Sequence, residues 1–527
     1  MPRGLPTSMP VPTGGVRYDL LPHNVPPESC SDSKNIIVSQ GVLTPRPGLA
    51  KVFASAFGEQ VIGGLYYKRN DGTEKVVAMG LTTWKSANFG TSTWDNITGT
   101  ALTGTADTQG RFIFWPESGT VYLIGVNNVD GPKEWDGVAA TYSALTGLSQ
   151  WTTAKDLTAV SNRIVVGNTV EGGVRYAYRI RFSDFNTRSA WTASNVIDLV
   201  DTNDQVVAVR ALTRSAFAVL RDNSQWIGVS QTGTFPFRVE LQDTQPGPVA
   251  PSAVIERFGL LFYMGQDGSF YSFDGTRTTH IGEPIRKKVQ ANLNYSTAGR
   301  SHGFYRQLDR MLWWFFPTTL SNPSSAVSYQ IDTGTWHYHE LATGVTATAS
   351  WPFKMISSLT WQTLPVAWTW DTIDSAYPSW DSFPGTASPV ELIGGPTQAY
   401  TFGNTGNDDG NAITATWDLW KSLQPGMRSR ADAYDTFFKQ TTSAVTATVK
   451  IGTTDSLAVD PSYPAELQAG FDLSTSTRHL LDTTTAVTGE GTGTAEAQFT
   501  AVQHVVSATI PWEWRGGVLY DTPQAVE

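Results

Sequence analysis

The chain has 527 residues, a formal charge of −10 and a single cysteine, Cys30. One cysteine excludes a disulfide framework and a cysteine-rich zinc site, and the acidic balance makes a poor generic DNA binder, because phosphate affinity comes from Lys and Arg. Charged residues make up 16 % of the chain, against ~25 % in typical globular domains.

Aromatic residues reach 12 %, with 19 Trp beside 48 Gly. Low charge with many Trp, Thr and Gly fits large β-structures with broad contact surfaces, since Trp and Tyr concentrate at interfaces. The length allows roughly two to four domains. No apolar stretch follows a basic start, so no signal peptide is expected. The longest dense apolar run, Met311 to Phe316, is far short of a membrane span.

Residues 1–50 read as an extended N-terminal arm. Pro22, Pro26 and Pro27 hold the chain extended and remove backbone donors. Ile36-Ile37-Val38 is β-branched throughout and suits a buried strand. Gln40-Gly41 offers a turn, Val42-Leu43 resumes the strand, and Pro47-Gly48 punctuates it again. Arg46 lies between two prolines, so its guanidinium is well aimed. It reads either as a surface cation paired to a neighbouring strand or as a contact to a neighbouring subunit.

Residues 51–404 read as repeated hairpins. Val61 to Tyr67 and Lys75 to Met79 flank Asn70-Asp71-Gly72-Thr73. Arg111 to Trp115 and Thr120 to Ile124 flank Glu117-Ser118-Gly119, and Gly259 to Met264 and Ser269 to Phe273 flank Gln266-Asp267-Gly268. Arg310 to Phe316 and Ala326 to Ile331 flank a Pro/Ser/Asn loop. Units close on a turn and an aromatic, as at Trp94-Asp95, Trp135-Asp136-Gly137 and Gly334-Thr335-Trp336. Repeated antiparallel units with this punctuation predict a β-propeller-like domain in an all-β chain. The Trp-Asp pairs at 94, 135, 370, 380 and 417 do not make a WD40 repeat: Trp370 and Trp380 are too close, and no Gly-His dipeptide completes the unit.

One helix is predicted after Gly282-Glu283-Pro284, where Ile285, Val289 and Leu293 recur at a spacing of four and Arg286-Lys287-Lys288 fill the exposed side. Near residue 400 the texture changes. Asn407-Asp408-Asp409-Gly410-Asn411 is a strong turn, and Thr-rich alternating strands follow at 444–451 and 504–510. Residues 405–527 read as a C-terminal β-sandwich-like module, with a flexible loop from Thr484 to Glu496.

The stretch from Leu21 to Leu49, with its Pro-rich entry, short apolar strand and Arg46-Pro47-Gly48 turn, resembles the opening of bacteriophage tail nozzle or hub proteins of the propeller type, a head–tail stabilisation family. Arg179 to Trp191, Leu260 to Gly275 and Trp417 to Ile451 are similar in turn to a blade, a hairpin and the exit into a C-terminal module of that family. The resemblance implies a structural virion protein, assembled in the host cytoplasm. It implies a homo-oligomeric ring, of six copies, below the portal and adaptor proteins, with fibres or spikes docked outside and contact with the host surface. Double-stranded DNA would pass along the axis without specific binding. Arg46, Pro47, Gly48, Trp361, Trp368, Trp370 and Trp380 are the candidate interface residues, and Arg286, Lys287 and Lys288 are expected at seams or outer faces rather than along the channel.

No phosphate loop, His-Glu-x-x-His or Gly-x-Ser-x-Gly motif occurs, so no catalytic residue, cofactor or metal ligand is expected. His337 and His339 share one face of a strand but lack a third ligand and read as surface polar positions. The 407–411 stretch has calcium-ligand residue types but makes a turn unaided. Two rivals remain: a propeller glycosidase and a carbohydrate-binding adhesin of a phage tail. The first rests on Asp332 to Trp336, one residue short of a sialidase-type turn, and on Asp371 and Asp381 as paired carboxylates. The second rests on the Trp cluster between Trp361 and Pro384, which otherwise reads as an aromatic contact loop.

Overall fold

The computed structural model describes residues 5–21, 24–39, 41–87, 93–233, 235–355, 388–403, 406–422, 427–452, 467–482 and 499–525. The protein is all-β, with one α-helix among these residues. The candidate residues Trp361, Trp368, Trp370 and Trp380, the carboxylates Asp371 and Asp381, and the 484–496 tract lie outside them.

Seven four-stranded antiparallel sheets follow one another along the chain, over 61–96, 111–144, 153–198, 206–243, 254–280, 302–340 and 349–403. Among the described residues, the last has three strands of its own. Gly48–Lys51, from the N-terminal segment, pairs with Ala399–Gly403 and completes it. The first strand of each sheet touches the first strand of the next, and Ala349–Met355 touches Val61–Lys68, so the contacts run in a closed cycle.

Packing follows the same cycle. Trp84, Leu123, Phe112 and Trp135 belong to one buried cluster drawn from the first and second sheets. Comparable clusters join every later pair, and Val61, Val76, Trp351 and Leu392 join the seventh sheet to the first. Each large apolar side chain buried in this way contributes roughly 1.5–3 kcal/mol. Aromatic residues that close one hairpin therefore fill the gap to the next. Trp84 packs edge-on against Phe112 with ring centroids 4.8 Å apart.

The predicted hairpins form with the expected partners: Leu65 faces Val77, Ile113 faces Ile124, Phe262 faces Ser272 and Trp314 faces Val327. The helix spans Glu283–Asn292. Ile285, Val289 and Leu293 are buried in the cluster between the fifth and sixth sheets, as their spacing requires.

Among the described residues, two six-stranded antiparallel sheets follow. One contains Asn411–Ser422, Phe499–Ala508, Thr446–Gly452 and Leu467–Asp472; the other contains Met427–Phe438, Trp514–Ala525 and Arg478–Asp482. Buried residues of both form one core, in which Trp417 stacks on His504 and Trp512. Asn407–Asp408 adds a short strand beside Asn411–Ser422, and the N-terminal segment supplies the rest. Leu5–Met9 pairs with the final strand, Ser33–Lys34 pairs with Asn411–Ser422, and Ile36–Ser39 and Val42–Pro45 form a hairpin at the edge. Met9, Cys30, Ile36, Val38 and Leu43 belong to that core. The segment is shared between the two modules.

Candidate functional site

The seam between the seven-sheet cycle and the C-terminal sheets is organised by Arg46. This side chain makes the salt bridge to a neighbouring strand that its sequence setting suggests, but it is enclosed within its own chain rather than at the surface, with 1 % of its surface exposed. Flanking prolines stiffen the backbone on either side, and the segment delivers the guanidinium into the seam. There it pairs through both terminal nitrogens with Asp408, whose exposure is 0 %. Its Nε donates to Asn35 Oδ1 at 3.0 Å, Nη2 to the Glu340 carbonyl at 2.9 Å and Nη1 to the Pro47 carbonyl at 3.1 Å. Asp408 also accepts from the Leu49 amide at 3.1 Å and the Ala342 amide at 2.8 Å. Asn35 Oδ1 accepts in addition from the Glu340 amide at 2.8 Å.

This node ties together the N-terminal segment, the sixth sheet and the entry to the C-terminal module. Asp408 is held in place by a two-residue hairpin turn, since Asp408 pairs with Asn411. Asp409 and Gly410 between them take φ of 49° and 88°, the left-handed conformation that Asp and Gly tolerate best. The 407–411 stretch is thus a turn as expected, and its buried carboxylate faces Arg46. Pro47 lies on a groove of about 630 Å³, along with Ile37, Arg306, Asp309 and Trp512. Arg306 donates to Asp309 at 2.6 Å and to Glu391 at 3.2 Å. Burial, opposed by Arg306 and reinforced by Asp309, raises the Glu391 carboxyl to about 7.

Gly48 has a steric role. A Cβ placed there would lie 1.9 Å from the Asn407 carbonyl oxygen. The close approach lets Gly48–Lys51 enter the seventh sheet while touching the turn that carries Asp408.

Other singled-out positions fall as follows. His337 and His339 are buried rather than at the surface. Burial lowers His337 to about 4, and burial with the Arg46 charge holds His339 well below its ordinary range. His339 Nε2 shares a 2.9 Å hydrogen bond with Ser328 Oγ, and its ring stacks on Trp313. No cluster of three metal-ligating side chains occurs among the described residues. Asp332 pairs with Arg310 at 3.0 Å. On the helix, Lys288 packs over the Tyr18 and Tyr338 rings and lies 3.4 Å from Asp32; Arg286 and Lys287 are exposed. Cys30 is buried, and burial pushes its thiol well up, so it is a core residue rather than a nucleophile.

The partnership of Arg46 with Asp408 spans 362 positions, and no local signal in the sequence marks it. The chain matches no family model and no curated protein.

Proposed function

We propose that this chain is a structural virion component, the nozzle or hub of a bacteriophage tail, built on a seven-bladed β-propeller with a C-terminal β-sandwich. The propeller reading is supported by seven successive four-stranded sheets with cyclic contacts and by the last sheet's completion from the N-terminal segment. Such closure joins the two ends of a ring of blades and leaves no unpaired seam.

The observation that carries the assembly reading is a set of exposed apolar side chains on the outer strands and loops of the third and fourth sheets. Val174, Phe185, Val200 and Phe235 are all more than half exposed, with Phe235 at 73 %. Large apolar side chains left this exposed fit contact with another subunit, and here the occupant is a second copy of the chain. In the proposed ring of six, DNA passes along the common axis under the portal and adaptor, and the low Lys and Arg content limits its retention during ejection.

Mass photometry and negative-stain imaging of the purified protein test this. A six-membered ring with an axial hole is expected, and Val200→Asp with Phe235→Asp should release folded monomers. A protein that stays monomeric, or a ring unaffected by the double substitution, would overturn the assembly reading.

A further inference from the structure

Where the first strands of six of the seven sheets converge, they leave a cavity of about 390 Å³, within the usual size range of small-molecule sites. Its walls carry Arg111, Arg210 and Arg257. Asp156, fully buried behind them, accepts from Arg111 Nε at 3.2 Å, from Arg210 Nη1 and from the Val209 amide at 2.8 Å. One carboxylate therefore serves two guanidinium groups. Burial and the nearby Arg210 charge lower Arg111 to about 10. Two cations are held together with too little negative charge between them.

A third cation increases the deficit. Arg257 forms no ion pair among the described residues; it lies over the rings of Phe258 and Tyr305, and its Nε is buried without a hydrogen-bond partner. Arg210, 3 % exposed, likewise has an unpartnered Nε. Glu256 is the carboxylate on the cavity wall. Three guanidinium groups thus face Glu256 and the buried Asp156.

The lip is also shaped. Phe258 occupies the first position of a two-residue hairpin turn with φ of 56° and is 57 % exposed. A bulky residue is costly in that conformation, yet it sets an aromatic edge against Tyr305 at 5.7 Å between centroids, with Arg257 beside both rings.

We propose that this axial cavity binds a small oxyanion-bearing molecule, its carboxylate or phosphate held by Arg257 and Arg111 and its ring or apolar face against Phe258 and Tyr305. The assignment is independent of the tail reading, because it concerns the centre of one chain rather than a channel through several.

Calorimetric titration of the full chain with phenyl phosphate, benzoate, inorganic phosphate and benzyl alcohol tests it. The first two share a ring and differ in the oxyanion; the third is the anion alone, and the fourth is the ring alone. At least one ring-bearing anion should bind with a Kd of about 1 mM or tighter and at least tenfold better than benzyl alcohol. Arg257→Gln, which breaks no internal ion pair among the described residues, should weaken binding roughly tenfold, whereas Arg310→Gln on the surface should not. Tight binding of inorganic phosphate alone would assign the site to phosphate groups; benzoate without phosphate would assign it to carboxylates. Binding of none of the anions, equal binding of the neutral alcohol, or full affinity in Arg257→Gln would overturn the proposal.

Discussion

Replacing Asp408 with Ala should open the seam from within. Arg46 and Asp408 are 1 % and 0 % exposed, so the substitution strands a guanidinium in a site that water does not reach. Removing one member of a buried pair costs about 3–5 kcal/mol, mostly as an uncompensated charge. The Leu49 and Ala342 amides lose their acceptor at the same time, each a loss of about 1–3 kcal/mol if left unsatisfied. Entry of water into the neighbouring groove would recover part of this, so about 3 kcal/mol is a lower working figure. That is more than a hundredfold change in a local opening equilibrium, at about 1.4 kcal/mol per factor of ten. A chain of this size is a poor subject for a single unfolding free energy, so the assay is hydrogen exchange read peptide by peptide. Exchange should accelerate more than a hundredfold around Leu49 and Ala342 and remain unchanged around Leu123 in the second sheet. Asp408→Asn, which keeps an acceptor, should lie between the wild type and Ala. Acceleration of less than tenfold at Leu49 would refute the view that this pair holds the N-terminal segment in place.

Acid should destabilise the protein through its buried imidazoles. His302 and His504 are lowered to about 3 and His337 to about 4, all by burial, so the fold keeps them neutral while the unfolded chain protonates below about pH 6.5. Their contribution is intact above pH 6.5 and is lost as the pH falls toward 4, by about 2 kcal/mol each at pH 5. Thermal unfolding at pH 7 and pH 5 checks this, because His337→Gln should lose less stability than the wild type over that interval, and an identical loss would count against it. Gly48→Ala should weaken closure of the seventh sheet, since the new methyl group would meet the Asn407 carbonyl oxygen; circular dichroism melting should show a lower first transition, and an unchanged melt would show that the backbone can yield. Phe258→Asn should stabilise the chain by roughly 1 kcal/mol, because Asn tolerates a positive φ, and a lower melting temperature would show that the Phe258 ring is worth more than its strain. Deleting residues 1–48 should yield insoluble protein, since the segment fills the C-terminal core with Met9, Ile36, Val38 and Leu43; a soluble product with a native near-ultraviolet spectrum would contradict that.

What was legible in the sequence is what short-range physics encodes. Alternating apolar residues on either side of Asp-Gly, Ser-Gly and Asn/Asp turns specified the hairpins, because side chains on a strand repeat every two residues and those turns need residues that tolerate positive φ. Spacing of four specified the helix at Glu283–Asn292, and the single cysteine excluded a disulfide framework. Tertiary structure alone decided where each unit's outer side chains end. His337 and His339 alternate as surface residues would, yet their face of the strand is covered by neighbouring structure. Arg46 finds its carboxylate 362 residues away, and Gly48–Lys51 completes a sheet begun by Ala349–Met355. Arg111, Asp156, Arg210 and Arg257 come from four different sheets and meet because the first strands close into a cycle. Local preference acts over a few residues and sets conformation and face, whereas these partnerships depend on the order in which whole sheets pack, which no stretch of a few residues contains.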